Sequence, residues 1–146
     1  KRINDNVAFE VTNTTGQSIR FDANPEAGGE GLGIRPMEAL ASSVAACASI
    51  DIILILKKKR ITLENYEVEL LTERKDATPA PFTKIHLVFT IGKNDPIEQV
   101  QKAVALGVEK YCSVSASLDP TIAITHEVKM FHGTSQPDRY QPDISQ

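Results

Sequence analysis

Cys47 and Cys112 are the side chains of this sequence best suited to covalent chemistry. A thiolate can attack a peroxide and become a sulfenic acid, which a second thiol condenses to a disulfide. The two cysteines are 65 positions apart, so they form no CxxC motif, and only the fold can bring them together. Free cysteines more often serve as small buried apolar side chains, and the residue types alone leave that interpretation open.

The two cysteines have different surroundings. Cys47 is flanked by alanines within a long apolar segment, and such small neighbours allow another element to approach its sulfur closely. Cys112 ends a predicted helix and is followed by Ser113-Val114-Ser115. A redox cycle on a pair of thiols needs an external dithiol, which restores the pair by exchange, but no metal or organic cofactor.

The composition favours a single soluble domain. The chain has 146 residues, of which 41% are hydrophobic and 24% charged, and this length is enough to bury a core without disulfides or metals. The net charge of −3 gives no reason to expect nucleic acid or an anionic membrane as a partner. Two cysteines are too few for a secreted disulfide framework, so a cytoplasmic location is expected. We predict one domain over residues 1–133 and a polar extension over residues 134–146.

The segment from Ala39 to Leu56 is apolar enough to be compared with a membrane span, because Asp51 is the one charge in its 18 residues. An aspartate near the middle of a span costs roughly 2.5–3.5 kcal/mol. We therefore predict a buried central helix from Pro36 to Lys59, with a basic end that suits the helix dipole. A helix that is apolar on nearly every side must be covered by two sheets or by a partner subunit.

Alternating hydrophobic residues predict five strands, and helical spacing predicts a second helix. The strands are expected over residues 7–12, 17–22, 66–72, 83–91 and 121–131. Asp95 is expected to cap the second helix, with Pro96 at its first position, and this helix is expected to end near Cys112. The glycine-rich segment 24–33 is interpreted as a connecting loop. The order β-β-α-β-β-α-β predicts an α+β domain whose strands pair mainly as hairpins.

The two cysteine segments resemble those of the OsmC/Ohr superfamily. The first segment reads Pro36-x-Glu38-x-Leu40 and ends in Ala45-Ala46-Cys47, and the second reads Tyr111-Cys112-Ser113-Val114-Ser115. Both occur in order, on the predicted helices, within an element order that covers nearly all of residues 7–131. The surrounding residues are similar to the less characterised OsmC-like branch of the superfamily, in particular Arg35-Pro36-Met37-Glu38, Ile50-Asp51-Ile52 and Leu56-Lys57-Lys58.

This resemblance implies an intertwined homodimer with two active sites at the subunit interface, and the reduction of organic hydroperoxides. In that case Cys47 matches the peroxidatic thiol and Cys112 matches the resolving thiol. The expected partners are a second copy of the chain, an organic hydroperoxide and an external dithiol reductant. No cofactor and no metal are expected.

A buried thiol needs a positive partner in order to ionise, because desolvation alone raises its pKa. The better-known members of the superfamily use an arginine held by a glutamate, and that glutamate aligns with Met37. Glu38 follows one position later, which rotates the side chain by roughly 100° about the helix axis. Arg20 and Arg35 are the two candidates for the arginine. Ser113 stands where a proline is common in the superfamily.

These departures leave two alternatives to a hydroperoxide reductase. One is a non-catalytic dimer of the same fold that binds a small molecule or senses redox state. The other is a structural dimer without chemistry, which requires the two sulfurs to point apart and no charged group to reach Cys47.

Overall fold

A computed structural model of the chain describes residues 1–131, so the polar extension predicted for residues 134–146 lies outside the described residues. The described part is an α+β fold, as the sequence predicts. Its elements follow in the order β1 Phe9–Thr12, β2 Ser18–Phe21, α1 Pro36–Lys58, β3 Tyr66–Arg74, β4 Phe82–Ile91, α2 Ile97–Leu106, α3 Ser113–Ala116 and β5 Ala123–Met130. A short 3₁₀ turn, Pro25–Ala27, lies in the glycine-rich loop, and a π-helical turn, Gly107–Tyr111, joins α2 to the segment that carries Cys112.

The strands form two sheets. β1 and β2 make a two-stranded antiparallel hairpin, and β3, β4 and β5 make a second sheet in that order. β3 and β4 are antiparallel, whereas β4 and β5 run parallel. The prediction that strands pair mainly as hairpins is confirmed by β1–β2 and β3–β4, and the parallel pair β4–β5 is an exception to it. A parallel pair requires a crossover connection, and here α2 lies within that connection.

One face of the three-stranded sheet forms the core together with α1 and α2. Ile85, Leu87, Phe89 and Ile91 of β4 are fully buried, and Ile124 of β5 is packed against them. This confirms the alternation predicted for β4. Val88 lies on the opposite face of the sheet and is also buried, at 3% exposure, in the middle strand of the three.

Helix α1 begins at Pro36, as predicted, and its own chain covers one side of it. The buried stripe that packs into the core consists of Ala41, Val44, Ala45, Ala48, Ile52 and Leu56. A second stripe remains exposed within the chain, since Ile50 is 63% and Leu54 50% accessible. The length and composition of α1 would suffice for a membrane span, and its buried stripe packs against the core of the described fold.

The end of α1 has an unusual backbone conformation. Arg60 adopts φ = 60°, in the left-handed region. Its N–H donates to the carbonyl of Lys57, and the N–H of Ile61 donates to the carbonyl of Leu56. This pattern is a Schellman motif, in which glycine usually occupies the position held here by Arg60.

The glycine-rich loop between β2 and α1 is ordered by the buried carboxylate of Asp22. Asp22 accepts the backbone N–H groups of Ala23, Glu30 and Leu32 at 2.8, 2.9 and 3.0 Å. The N–H donors of Leu32 and Glu30 hold the pKa of Asp22 below its usual value. The two ends of the loop are joined directly, because Ile34 pairs with Phe21 in a parallel bridge. The start of α1 is thereby fixed against β2.

Asp95 differs from its predicted role as a helix cap. Helix α2 begins at Ile97, with Pro96 in the capping position. The buried carboxylate of Asp95 instead accepts the N–H groups of Gly92, at 2.7 Å, and of Glu64, at 2.9 Å. It therefore links the turn after β4 to the segment before β3, a contact between distant parts of the chain that the local sequence does not indicate.

Candidate thiol site

Cys47 lies in the middle of α1 and is half-buried. At about 100° per residue, its position on the helix falls beside Leu40 and Leu54, on the stripe that the chain leaves exposed. It also contacts the edge of the core cluster. The thiol is consequently placed at a boundary, with core packing on one side and the uncovered helix surface on the other.

Cys112 is buried at the junction between the second helical segment and a short following helix. The π-helical turn Gly107–Tyr111 ends at Cys112, which then caps the short helix α3. The N–H of Ser115 donates to Cys112 Sγ at 3.3 Å. The thiol in turn donates to the carbonyl oxygen of Val44, at 3.7 Å. The sulfur is therefore held between α3 and the middle of α1.

The close approach of the two helical segments depends on Gly107. A Cβ placed on Gly107 would lie 2.6 Å from Cγ1 of Ile52 and 3.1 Å from the carbonyl oxygen of Ala48. The first distance is shorter than van der Waals contact allows, and the second is tighter than most such contacts. A glycine at this position lets the segment that carries Cys112 pass directly over α1.

The fold places the Cys112 sulfur against the turn of α1 that precedes Cys47. Val44, whose carbonyl accepts the Cys112 thiol, lies three residues before Cys47. Helical side chains tilt toward the helix N-terminus, so the Cys47 side chain extends over the turn that contains Val44. Both thiols are free. Forming a disulfide would remove the proton that Cys112 donates to Val44, so that hydrogen bond must break when the sulfurs join.

Glu38 and Arg35 pair with each other at the start of α1. The Arg35 guanidinium donates to the Glu38 carboxylate through Nε, at 2.7 Å, and through a second nitrogen. The backbone N–H of Arg35 also donates to Glu38, at 3.1 Å. The Arg35 side chain, followed by its backbone N–H, holds the pKa of Glu38 below its usual value. This glutamate thus satisfies the first turn of the helix, as in half of a capping box.

The Arg35–Glu38 pair does not lie beside Cys47 of the same chain. Glu38 precedes Cys47 by nine residues, which corresponds to about 13 Å along the axis and about half a turn around it. Arg20, the other candidate, is on β2, where its Nε donates to Glu10 on β1 at 3.0 Å. The backbone of Arg20 is close to the start of α1, because its carbonyl accepts the N–H of Ile34. The two arginines are therefore on neighbouring segments but bind different carboxylates.

The structure also contains a cavity that the sequence does not reveal. It has a volume of about 700 Å³ and lies between the start of α1 and the end of the three-stranded sheet. Its walls come from the loop after β2, the first turns of α1, β3 and the first residue of β4. Because these four segments are far apart in the chain, no local motif marks them. Arg35 and Glu38 are the candidate site residues from the sequence analysis that line this cavity.

Comparison with known proteins identifies one family. The family model described as OsmC-like protein matches residues 28–127. Protein YhfA of Escherichia coli K12 is 38% identical to the chain over 96 residues, which cover 65% of this chain and 72% of YhfA.

Solved structures share the fold. An OsmC-like protein of unknown function from Vibrio cholerae superposes with a TM-score of 0.71 at 19% identity and covers 85% of each chain. The organic hydroperoxide resistance protein OhrB of Bacillus subtilis superposes with a TM-score of 0.60 at 19% identity, covering 86% of this chain and 98% of OhrB. At these identities the likeness concerns the fold.

Proposed function

Because this chain belongs to the OsmC-like family, we propose that it is a thiol-dependent organic hydroperoxide reductase that uses a Cys47–Cys112 dithiol–disulfide cycle. The observation that carries the proposal is the position of the Cys112 sulfur, 3.7 Å from the carbonyl of Val44 and thus one turn of α1 away from Cys47. OhrB of Bacillus subtilis, which shares the fold, is named for organic hydroperoxide resistance.

The reaction balances with two thiols and an external dithiol. The Cys47 thiolate attacks the distal oxygen of the hydroperoxide, the O–O bond breaks, and the alkoxide takes up a proton and leaves as an alcohol. Cys47 is then a sulfenic acid. Cys112 attacks its sulfur, water leaves, and a disulfide forms. Two exchange steps with an external dithiol return both thiols and oxidise the dithiol. Such a reductant pool is consistent with a cytoplasmic location.

A homodimer would complete the site. The exposed stripe of α1 that includes Cys47 and Ile50 is apolar, as is one face of the β1–β2 hairpin, where Phe9 and Val11 are exposed. Covering these surfaces with a second copy removes apolar area from water. It would also desolvate Cys47 on its open side and allow a cation from either chain to approach it. Arg20 and Arg35 are the proposed sources of that cation, with Glu38 as the group that orients Arg35.

The proposal is tested by measuring consumption of cumene hydroperoxide in the presence of dithiothreitol. Wild-type protein should consume the peroxide catalytically, and the Cys47→Ser variant should fall to the rate of dithiothreitol alone. Ser43→Ala, on the same exposed stripe one turn earlier, is the matched control and should retain activity. If Cys47→Ser protein consumes the peroxide as fast as wild type, the proposal is wrong.

A non-catalytic dimer that binds a small molecule or senses redox state is the second candidate. The observation in its favour is that Arg35 is held by Glu38 about half a helical turn away from the Cys47 side. A redox sensor would lose both thiols to one equivalent of peroxide, but its disulfide would resist reduction by dithiothreitol, so peroxide consumption would stop after one turnover. Continued turnover under these conditions would exclude this candidate.

A further inference from the structure

The outer face of the three-stranded sheet, which points away from α1 and α2, carries a group of polar side chains. The strand register places Leu71 of β3, His86 of β4 and Thr125 of β5 in one row across this face. Successive residues of a strand point to opposite sides, and the neighbouring positions Ile85 and Leu87 are fully buried in the core. The row is therefore separated by the sheet from α1 and the thiol site.

Thr125, His86 and Glu127 are arranged as a nucleophile, a base and a carboxylate. Thr125 Oγ1 lies 2.7 Å from His86 Nδ1, a hydrogen-bond distance. Glu127, two positions later on the same face, has its Oε1 3.5 Å from His86 Nε2. A carboxylate beside Nε2 favours the tautomer that carries its proton there, so Nδ1 is left to accept the proton of the Thr125 hydroxyl. This order of groups is the one that activates a hydroxyl nucleophile.

Glu127 is kept ionised by Lys129. Lys129 Nζ lies 2.7 Å from Glu127 Oε1. The hydrogen bond from Lys129 outweighs desolvation and, together with a weaker one from His86, holds the pKa of Glu127 below its usual value. An ionised carboxylate stabilises the imidazolium that forms when His86 takes up a proton. Glu127 is thus a positioning residue for His86.

A cation and an apolar side chain lie beside this group. Lys84 of β4 faces the same side and opposes Ala123, two positions before Thr125, and such diagonal neighbours are within reach of long side chains. Its ammonium contacts Glu73 at 3.5 Å. Exposed pairs of this kind are weak, so Lys84 can turn toward an oxygen that becomes negative beside Thr125. Leu71, at the other end of the row, is 51% accessible and offers an apolar contact.

We propose that this face of the sheet is a second site, independent of the thiols, that hydrolyses small carboxylic esters with Thr125 as the nucleophile and His86 as the general base. Because the site lies on an exposed strand face, where Lys84 supplies the charge that stabilises the transition state, esters with good leaving groups are the expected substrates.

The reaction consists of two acyl transfers. Thr125 Oγ1 bonds to the carbonyl carbon of the ester while its proton moves to His86 Nδ1. The bond from that carbon to the leaving oxygen then breaks, and the leaving alcohol takes the proton from His86, which leaves an acyl group on Thr125. Water attacks this acyl group in the same way, the carboxylic acid is released, and the proton returns to Thr125 Oγ1.

Acetylation of the full chain by 4-nitrophenyl acetate, measured by peptide mass spectrometry, tests the proposal. The protein used carries Cys47→Ser and Cys112→Ser, because thiols themselves react with this ester. It should release nitrophenolate and carry an acetyl group on Thr125. Adding His86→Gln should slow this acetylation about a hundredfold, and Thr125→Val should abolish it, while Thr125→Ser should retain it. Thr90, on the same face of β4, is the internal control and should stay unmodified.

Two further measurements separate this site from a structural role and from the thiol chemistry. Lys84→Gln should slow acetylation of Thr125 about tenfold, since an exposed charge is partly screened by water, and Lys84→Arg should restore it. His86→Gln in the otherwise wild-type chain should consume cumene hydroperoxide as fast as wild type. The proposal is overturned if Thr125 stays unmodified in folded protein, if His86→Gln leaves its acetylation unchanged, or if Thr90 is acetylated as fast as Thr125.

Discussion

The thiol of Cys112 donates a hydrogen bond to the carbonyl oxygen of Val44, 3.7 Å away, on the turn of α1 that precedes Cys47. Two cysteines separated by 65 positions are thereby brought to the same part of one helix. The contact has a chemical consequence, because the proton that Cys112 shares with Val44 must be given up before this sulfur can bond to another. In the proposed cycle, attack of Cys112 on an oxidised Cys47 would therefore also break the hydrogen bond from Cys112 to Val44.

This relationship predicts different oxidation products for two cysteine variants. After one equivalent of cumene hydroperoxide, wild-type protein should lose both titratable thiols and contain one Cys47–Cys112 disulfide. Cys112→Ser should stop at a Cys47 sulfenic acid, which dimedone traps as one adduct per chain. Peptide mass spectrometry distinguishes these products. Two intact thiols in oxidised wild-type protein would contradict the prediction.

Gly107 should be intolerant of a side chain. In an ordinary helix, glycine to alanine stabilises by up to about 1 kcal/mol. Here a Cβ would lie 2.6 Å from Cγ1 of Ile52, and overpacking of this kind costs typically about 1–3 kcal/mol. We expect Gly107→Ala to lower the free energy of unfolding measured in urea. In a double-mutant cycle with Ile52→Ala, which removes the clashing atom, the cost of Gly107→Ala should shrink, and additive effects would refute the steric explanation.

Replacing Arg60 with glycine should stabilise the folded protein. Its φ of 60° places it in the left-handed region, which costs an L-residue with a side chain roughly 1–2 kcal/mol. We expect Arg60→Gly to raise the free energy of unfolding by about 1 kcal/mol in denaturant titration. Lys59, the preceding residue, has φ = −84°, so Lys59→Gly should destabilise the protein instead. Equal effects at both positions would show that φ is not the cause.

We expect the folded protein to lose stability at alkaline pH because of the ionisation of Tyr66. Its hydroxyl donates to Ser49 Oγ at 2.9 Å, and burial raises the pKa of Tyr66 to about 12. The folded state therefore holds this proton more tightly than the unfolded state, whose tyrosines ionise near pH 10. The stabilisation is fully present below about pH 10 and should decline as the pH rises from there toward 12.

Thermal unfolding between pH 9 and pH 12 measures this effect. Tyr66→Phe should lose about 1 kcal/mol near neutral pH, because the hydrogen bond to Ser49 is absent, and should show a smaller decline above pH 10. Tyr111→Phe, at an exposed position, should keep the decline of the wild-type protein. A Tyr66→Phe variant with the wild-type pH profile would contradict the assignment.

Much of the fold follows from local patterns in the sequence. Pro36 begins α1 as expected, and the alternation of Ile85, Leu87 and Phe89 marks the core face of β4. The parallel pairing of β4 with β5 could not be obtained this way. Alternation reports which face of a strand is buried but not which strand lies next to it. Asp95 shows the same limit, since its bond to Glu64 joins segments that only the tertiary fold brings together.

Only part of the candidate site, likewise, could be predicted from the sequence. Sequence identifies Cys47 and Cys112 by residue type, and the i,i+3 spacing of Arg35 and Glu38 is compatible with the ion pair that the structure contains. The nine-residue spacing on one helix also places Glu38 about half a turn from Cys47, but it does not reveal that Arg20 binds Glu10 while Arg35 binds Glu38. Nor does it reveal Arg74 at the rim of a cavity, since the walls come from four separate segments.

The bridge between Phe21 and Ile34 joins the two ends of the glycine-rich loop. It affects which parts of this fold can change in sequence and length. The orientation of α1 is set by β2 itself and not by the length of the intervening loop. Loop residues outside the Glu30–Leu32 segment that Asp22 binds can therefore be gained or lost without displacing the thiols. Ala23 and Asn24, which border the cavity, belong to this same loop. The lining of the cavity can thus change through loop remodelling while the helix that carries Cys47 stays where it is.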